Sequence, residues 1–267
     1  MIDVVIVGTG ILGMLAARWL QQAGLQVLLI EKGQTGREAS WAAGGILDAL
    51  HPWQYPKAVS LLIRRSKSLY PTLVEDLKER TGIDPELLWC GMLDLAPNSP
   101  ENAFRWCRDF GEPVSSLDQS LLKSREPAIS DKESGALWLP DVGQIRPPRL
   151  LKALRKDLDL LQVPVWENCE VHQIISSGNR VQGVETARGF TAAGKVIIAA
   201  GAWSGRLIPL RVAPVKGQMI LLKAEPGLFK SIILKNDRYL IQRKDGSVLV
   251  GSTVEQSGYD KTTTSEA

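Results

Sequence analysis

The chain is 267 residues long, which at roughly 100 to 200 residues per domain means one large domain or two interleaved ones. Hydrophobic residues make up 44% and charged residues 23%, enough apolar material for a buried core, which excludes a disordered chain. Lysine plus arginine is 32 against 29 aspartate plus glutamate, a net charge of +3 scattered without a basic stripe, which argues against nucleic acid as a partner.

Residues 2–7 are a short apolar run rich in β-formers, and Gly8-Thr9-Gly10-Ile11-Leu12-Gly13 follows directly. A helical stretch over 14–23 comes next, stopped by Gly24, and a second apolar strand over 27–30 ends in Glu31. This is a βαβ crossover whose turn suits a dinucleotide. Gly8 permits the tight turn, Gly10 lets the backbone approach a pyrophosphate, and Gly13 allows the helix to pack closely on the strand. The helix N-terminus offers unpaired N–H groups to phosphate, and Glu31 stands where a carboxylate accepts hydrogen bonds from a ribose. A strand this near the start leaves no room for a secretory signal, and no apolar run is long enough to span a bilayer. Cytoplasmic residence without stable membrane insertion is the expectation.

Residues 40–47, Ser-Trp-Ala-Ala-Gly-Gly-Ile-Leu, are a small-residue loop able to lie flat on a cofactor or to pack as a tight turn. Helices are predicted over 58–70 and 73–81, a strand over 92–96 and a helix over 101–110. Glycine and proline punctuate this segment, which reads as a separate α+β lobe, with Trp53, Trp89, Trp106 and Trp138 as core residues rather than an aromatic cage. An amphipathic helix starts at Pro147-Pro148 and runs through Leu150, Leu151, Leu154, Leu158 and Leu161. Strand patterns follow over 163–166, 169–174, 181–186 and 196–200, with a turn at 177–179; alternation puts His172 on the face opposite Val171. After Pro214 the pattern is antiparallel: 218–223, 231–234, 239–242 and 247–251, with Asp245-Gly246 as a hairpin turn. Residues 262–267 read as a helix cap with its acid, Glu266, just inside.

The two histidines, His51 and His172, are too few for an imidazole zinc site or a Ser/His/Asp triad. Cys90, Cys107 and Cys169 form no CxxC pair and read as reduced core thiols, so no metal site is expected.

The opening fingerprint, Glu31-Lys32, the run from Ala39 to Leu47 and the run from Val196 to Ser204 resemble the D-amino-acid oxidase superfamily of FAD-dependent amine oxidases. Pro214-Val215-Lys216-Gly217-Gln218-Met219, Tyr239-Leu240-Ile241 and the run from Val248 to Glu255 follow in the order and spacing of its glycine oxidase branch. The resemblance implies an α/β fold, with a Rossmann-like FAD-binding domain and an interleaved α+β substrate domain containing an antiparallel sheet. The FAD-binding domain is expected over 1–50 and 145–208, the substrate domain over 51–144 and 209–267. Gly8, Thr9, Gly10, Ile11, Leu12, Gly13, Glu31, Lys32, Ala39, Ser40, Gly44, Gly45, Ile46, Val171, Ala200 and Gly201 are the implied FAD contacts. Val171 is the position that touches adenine through its backbone. Tyr239 matches the tyrosine that contacts the substrate carboxylate, and Ile46 and Val254 match positions lining a small pocket. Gln242 stands where relatives commonly carry proline, which puts the strand geometry beside Tyr239 in question. Arg243 next to it is read as a solvated surface arginine with the charge to grip a carboxylate.

The implied reaction takes glycine or another small amine to an imine, then to oxo acid and ammonia, with dioxygen as the second partner, serving thiamine thiazole synthesis. A quinone-linked D-amino-acid dehydrogenase and a non-catalytic FAD-binding module are the alternatives, and self-association is left open. Family members are longer by roughly a quarter, which carries a carboxylate-binding arginine and a flavin-covering loop. The chain is therefore expected to be truncated and to hold an incomplete catalytic set.

Overall fold

The computed structural model describes residues 2–265. The apolar run becomes β1 (Val4–Val7), with all four side chains buried. Helix α1 (Ile11–Gln22) turns Gly13, Met14 and Ala17 inward, and Gly24 at φ +87° takes the left-handed conformation that ends it. Next come β2 (Val27–Ile30) and α2 (Ala39–Ala42), a one-turn helix in the small-residue run read as a loop. A 3₁₀ turn (Pro52–Gln54) leads into α3 (Lys57–Thr81). Two helices separated at Pro71 were the expectation; instead one helix runs through the proline. The lost N–H bond costs about 3 kcal/mol, and burial of Val74 and Leu77 in the following turns offsets it.

The chain continues through β3 (Leu88–Trp89), β4 (Met92–Asp94), α4 (Pro100–Phe110), β5 (Ser115–Asp118), α5 (Gln119–Arg125), β6 (Gly135–Leu139) and β7 (Gly143–Gln144). Helix α6 (Pro147–Leu160) has proline at its start and buries Leu150, Leu151, Leu154 and Leu158 on one face. Then come β8 (Val165–Trp166), β9 (Val171–Ser177), β10 (Arg180–Thr186), β11 (Gly189–Ala192), β12 (Lys195–Ile198) and a 3₁₀ turn (Gly201–Arg206). The last strands are β13 (Met219–Lys223), β14 (Ile232–Lys235), β15 (Arg238–Gln242) and β16 (Ser247–Gly251). Residues 262–264 have no helical structure, and Glu266, the acid of the predicted cap, lies outside the described residues.

The residues cluster into two compact units. The first comprises the chain up to Ala43, Glu75–Pro85 and Pro147–Pro214. Its parallel sheet has the order β12-β1-β2-β8, with Val4 opposite both Lys195 and Val27. Strands β9, β10 and β11 form an antiparallel sheet whose Val171 and Val184 join Val5, Val7, Leu28 and Ile30 in one core. The buried Asp157 carboxylate on α6 accepts from Arg18 Nε at 2.8 Å and Arg80 Nε at 2.5 Å, and Arg18 also bonds Asp76.

The second unit comprises Gly44–Val74, Glu86–Arg146 and the chain from Val215. Its seven-stranded sheet has the order β13-β16-β15-β14-β4-β6-β5, antiparallel except where β14 meets β4. Strand alternation sends Met92, Ile232 and Leu234 into one hydrophobic cluster and Leu93 and Ile233 into another. Trp53 packs against one of these clusters and Trp138 against the other. Trp106 is buried and its Nε1 donates to Ser60 Oγ at 3.0 Å, but Trp89 is 42% exposed, contrary to its reading as core. Trp89 lies against Gly143, where any Cβ would stand 2.7 Å from the indole. All three cysteines are free thiols, Cys107 and Cys169 buried.

Candidate functional site: a nucleotide cradle and a tyrosine-bearing sheet

In the first unit the glycine turn is defined by where side chains cannot be. Gly8 has φ +105°, and a Cβ there would stand 2.4 Å from the Ala199 carbonyl oxygen. A Cβ on Gly13 would stand 2.0 Å from the Gly8 carbonyl oxygen, so α1 approaches β1 only because Gly13 has no side chain. Gly10 faces Ser40 Oγ, which accepts the Ile11 N–H at 3.0 Å; this is how α2 brings Ala39 and Ser40 to the turn. The first intrahelical bond is Met14 N–H to Gly10 C=O, so the amides of Leu12 and Gly13 precede it at the positive end of α1.

Glu31 is buried at the tip of β2. Its Oε2 accepts from the Thr9 N–H at 2.9 Å and the Thr9 hydroxyl at 2.8 Å, and its Oε1 accepts from the Gly33 N–H at 3.0 Å. Three of a carboxylate's roughly four acceptor directions are filled, leaving capacity on Oε1. Lys32 Nζ lies 3.1 Å from the Trp203 ring centroid, a cation–π contact that ties the β2 tip to the turn after β12. Ala200 and Gly201, φ +52°, start that turn. Val171 is buried at the head of β9, and His172 beside it is exposed. Glycine turn, Glu31 and Ala200-Gly201 all sit at the carboxyl ends of β1, β2 and β12, where open α/β sheets bind ligands. Open amides at a helix N-terminus, a side-chain-free turn and a fixed carboxylate fit the diphosphate and ribose of a dinucleotide.

In the second unit Tyr239 lies on β15, paired with Leu234 and Gly251. Its ring is pressed on Gly44, where a Cβ would stand 3.0 Å from both Cε2 and the hydroxyl oxygen. The hydroxyl donates to Met219 Sδ at 3.1 Å, a weak acceptor. Burial pushes the phenol above its ordinary value of 10, with Ser252 and the Arg243 charge pulling the other way. Ile46 bridges Gln144 while Gly45 C=O accepts from Ile145 and Leu47 N–H donates to Gly143, each at 2.9 Å. Residues 44–47 therefore behave as an added strand beside β7. Val254 is 70% exposed, next to the Lys216–Glu255 bridge.

A family model described as FAD dependent oxidoreductase matches residues 3–267. The chain belongs to that family. It is an enzyme whose cofactor is FAD. Glycine oxidase of Pseudomonas aeruginosa is 42% identical over 270 residues, covering 99% of this chain and 74% of that protein. A bifunctional ThiO/ThiG protein of Synechocystis is 32% identical over 262 residues, covering 95% of this chain and 39% of that protein. The crystal structure of glycine oxidase from Geobacillus kaustophilus matches with a TM-score of 0.92 at 30% identity, covering 99% of this chain and 74% of that one.

This FAD-dependent oxidoreductase corrects one residue reading outright. Arg243 is not a solvated surface arginine: it is 8% exposed and donates to Gly44 C=O at 2.6 Å, Gln144 Oε1 at 2.7 Å and Ile145 C=O at 3.1 Å. Desolvation pushes its guanidinium down to about 10, which still leaves it cationic at neutral pH. Gln242 does not disturb the strand. Its side chain accepts from the Phe229 N–H at 2.6 Å and donates to Glu225 C=O at 2.7 Å, two bonds that satisfy a buried amide. Gln144 carries no sequence signal for this role, lying among Asp141, Val142, Gly143, Ile145 and Arg146 with no apolar period to mark it as buried. Among the described residues, no group of three or more His, Cys, Asp or Glu is placed to hold a metal ion, and no helix is long and apolar enough to cross a membrane.

Proposed function

We propose that the enzyme oxidises glycine or another small amine at Cα to the imine, which water converts to the oxo acid and ammonia while dioxygen is reduced to hydrogen peroxide. The observation that carries this reading is 42% identity to a glycine oxidase along 99% of the chain, including the segments that hold Gly8–Gly13, Gly44–Ile46 and Tyr239. Gly8, Thr9, Gly10, Ile11, Leu12, Gly13 and Glu31 would hold the diphosphate and ribose of FAD. Lys32, Ala39, Ser40, Gly44, Gly45, Ile46, Val171, Ala200 and Gly201 would complete the cofactor's surroundings. Bound FAD supplies a two-electron acceptor that dioxygen regenerates.

The protein's own task is positioning. Tyr239, a phenol protonated at neutral pH, offers its O–H to the substrate carboxylate, because a carboxylate is a far better acceptor than the Met219 thioether. Ile46 and Val254 give apolar walls that leave room for a short side chain. No side-chain base is invoked, since the amine reacts once it is neutral, and activity therefore rises with pH. Supply of the imine to thiamine thiazole synthesis in the cytoplasm belongs to the same reading, supported by similarity to the bifunctional ThiO/ThiG protein.

The test is anaerobic addition of glycine, sarcosine and D-alanine to FAD-loaded protein while the visible spectrum is followed. The reading predicts bleaching by at least one amine, then return of colour with peroxide release on admitting air. Bleaching with recovery by a quinone but not by oxygen points to the dehydrogenase instead, and no bleaching by any of the three defeats the reading.

A further inference from the structure

We infer that Arg243 is a positioning residue for this reaction, holding the Tyr239 hydroxyl in place through the Gly44 backbone without itself touching substrate. The inference rests on the proposed amine oxidation. Burying a guanidinium is a costly way to fill space, and a methionine of similar length would pack there at lower cost. Arg243 has no carboxylate within ion-pairing distance among the described residues; its donors go to two backbone carbonyls and one amide oxygen. Those acceptors belong to two strands of chain. Nη2 holds Gly44 C=O, and Nη1 holds the side chain of Gln144 and the carbonyl of Ile145.

Each anchor is itself fixed. The Gln144 amide donates to Gln242 C=O at 3.1 Å and to Cys90 Sγ at 3.4 Å, and the Ile145 N–H reaches back to Gly45 C=O at 2.9 Å. Gly44 and Gly45 are therefore gripped by the planar fork on one side and by β7 on the other. The Tyr239 ring rests on Gly44, so a shift of that backbone displaces the ring. The hydroxyl is otherwise held by the weak Met219 thioether and by Ser252. Gly44 and Arg243 thus act in series on one phenol. A guanidinium suits this task better than an ammonium, because its rigid fork holds Nη1 on Gln144 and Nη2 on Gly44 in fixed directions.

The experiment compares the wild type with Arg243→Met, Arg243→Lys, Tyr239→Phe and the Arg243→Met/Tyr239→Phe pair, using glycine and glycine ethyl ester, which lacks the carboxylate charge. Arg243→Met is expected to raise KM for glycine about tenfold with little change in kcat and little change for the ester. The pair should be no worse than Tyr239→Phe alone, because both changes remove one interaction. Arg243→Lys keeps the charge and a folded protein, yet should recover only part of the loss. A second readout needs no turnover: in protein labelled with 3-fluorotyrosine, the Tyr239 fluorine resonance should move in Arg243→Met and Arg243→Lys while those of Tyr55, Tyr70 and Tyr259 stay. Equal losses for glycine and ester, additive losses in the pair, full rescue by lysine, or an unmoved Tyr239 resonance would each overturn the inference. A wild type that oxidises neither compound defeats the proposed reaction instead, and the fluorine spectrum still decides the Arg243 clamp.

Discussion

The two units fix the backbone of their candidate site segments by opposite means. In the first, the turn between β1 and α1 is shaped by missing side chains: Gly8 and Gly13 close against Ala199 and against each other at distances no Cβ permits. In the second, residues 44–47 are held by polar side chains taken out of water, Arg243 donating to the Gly44 carbonyl and to Gln144, and Gln144 donating to the Gln242 carbonyl. The first device resists any added atom and tolerates no adjustment. The second tolerates small changes of shape but depends on every hydrogen bond being made.

That contrast breaks most sharply at Gly13. Gly13→Ala places a methyl 2.0 Å from the Gly8 carbonyl oxygen and should cost on the order of 3 kcal/mol, the upper range for overpacking, together with flavin retention. Urea melts and the visible absorbance of purified protein measure both, and a stable yellow variant would show that the turn is looser than the structure requires. Asp157→Ala removes the carboxylate shared by Arg18 and Arg80 and should destabilise by about 2 kcal/mol, less than a fully stranded buried charge because Arg18 keeps Asp76 and Arg80 reaches solvent. Its flavin binding at low temperature should survive, separating scaffold from cradle.

In the second unit Gly44→Ala pushes a methyl to 3.0 Å from Tyr239. It should raise KM for glycine about tenfold, equivalent to about 1.4 kcal/mol, measured on FAD-saturated protein. The smallest effect belongs to Asp94, whose carboxylate lies 3.4 Å from His51 Nε2 and whose pKa burial raises above 3.8. A raised carboxyl holds its proton in the folded state after the unfolded chain has lost it, so stability falls as pH rises through and above 3.8. Asp94→Asn should flatten that fall in urea midpoints taken from about pH 4 to pH 6. An unchanged slope would assign the dependence to other groups.

The same contrast explains what was legible in the sequence. The βαβ unit, its glycines and Glu31 lie within one short stretch, and each has a local conformational reason to be there. The paired strands β15 and β16 and their Asp245-Gly246 turn were legible for the same reason. The Arg243 clamp was not, since it joins residues 199 positions apart and a charged residue after a strand reads by default as solvated. Strand β11 and helix α5 lacked an apolar run or a strong period, and α3 hid its continuity behind Pro71, whose penalty only tertiary burial offsets. Trp89 misled because large aromatic residues are usually core, whereas here the ring touches Gly143 and still stays 42% exposed.

The most direct measurement is titration of flavin-free protein with FAD, followed by quenching of flavin fluorescence, for the wild type and for Glu31→Ala. The account predicts saturable, equimolar binding by the wild type and at least tenfold weaker binding when the carboxylate is gone, about 1.4 kcal/mol for a charge-assisted hydrogen bond to the ribose. Equal affinity for both proteins, or no saturable binding by either, would contradict a cradle centred on Gly8, Gly13 and Glu31.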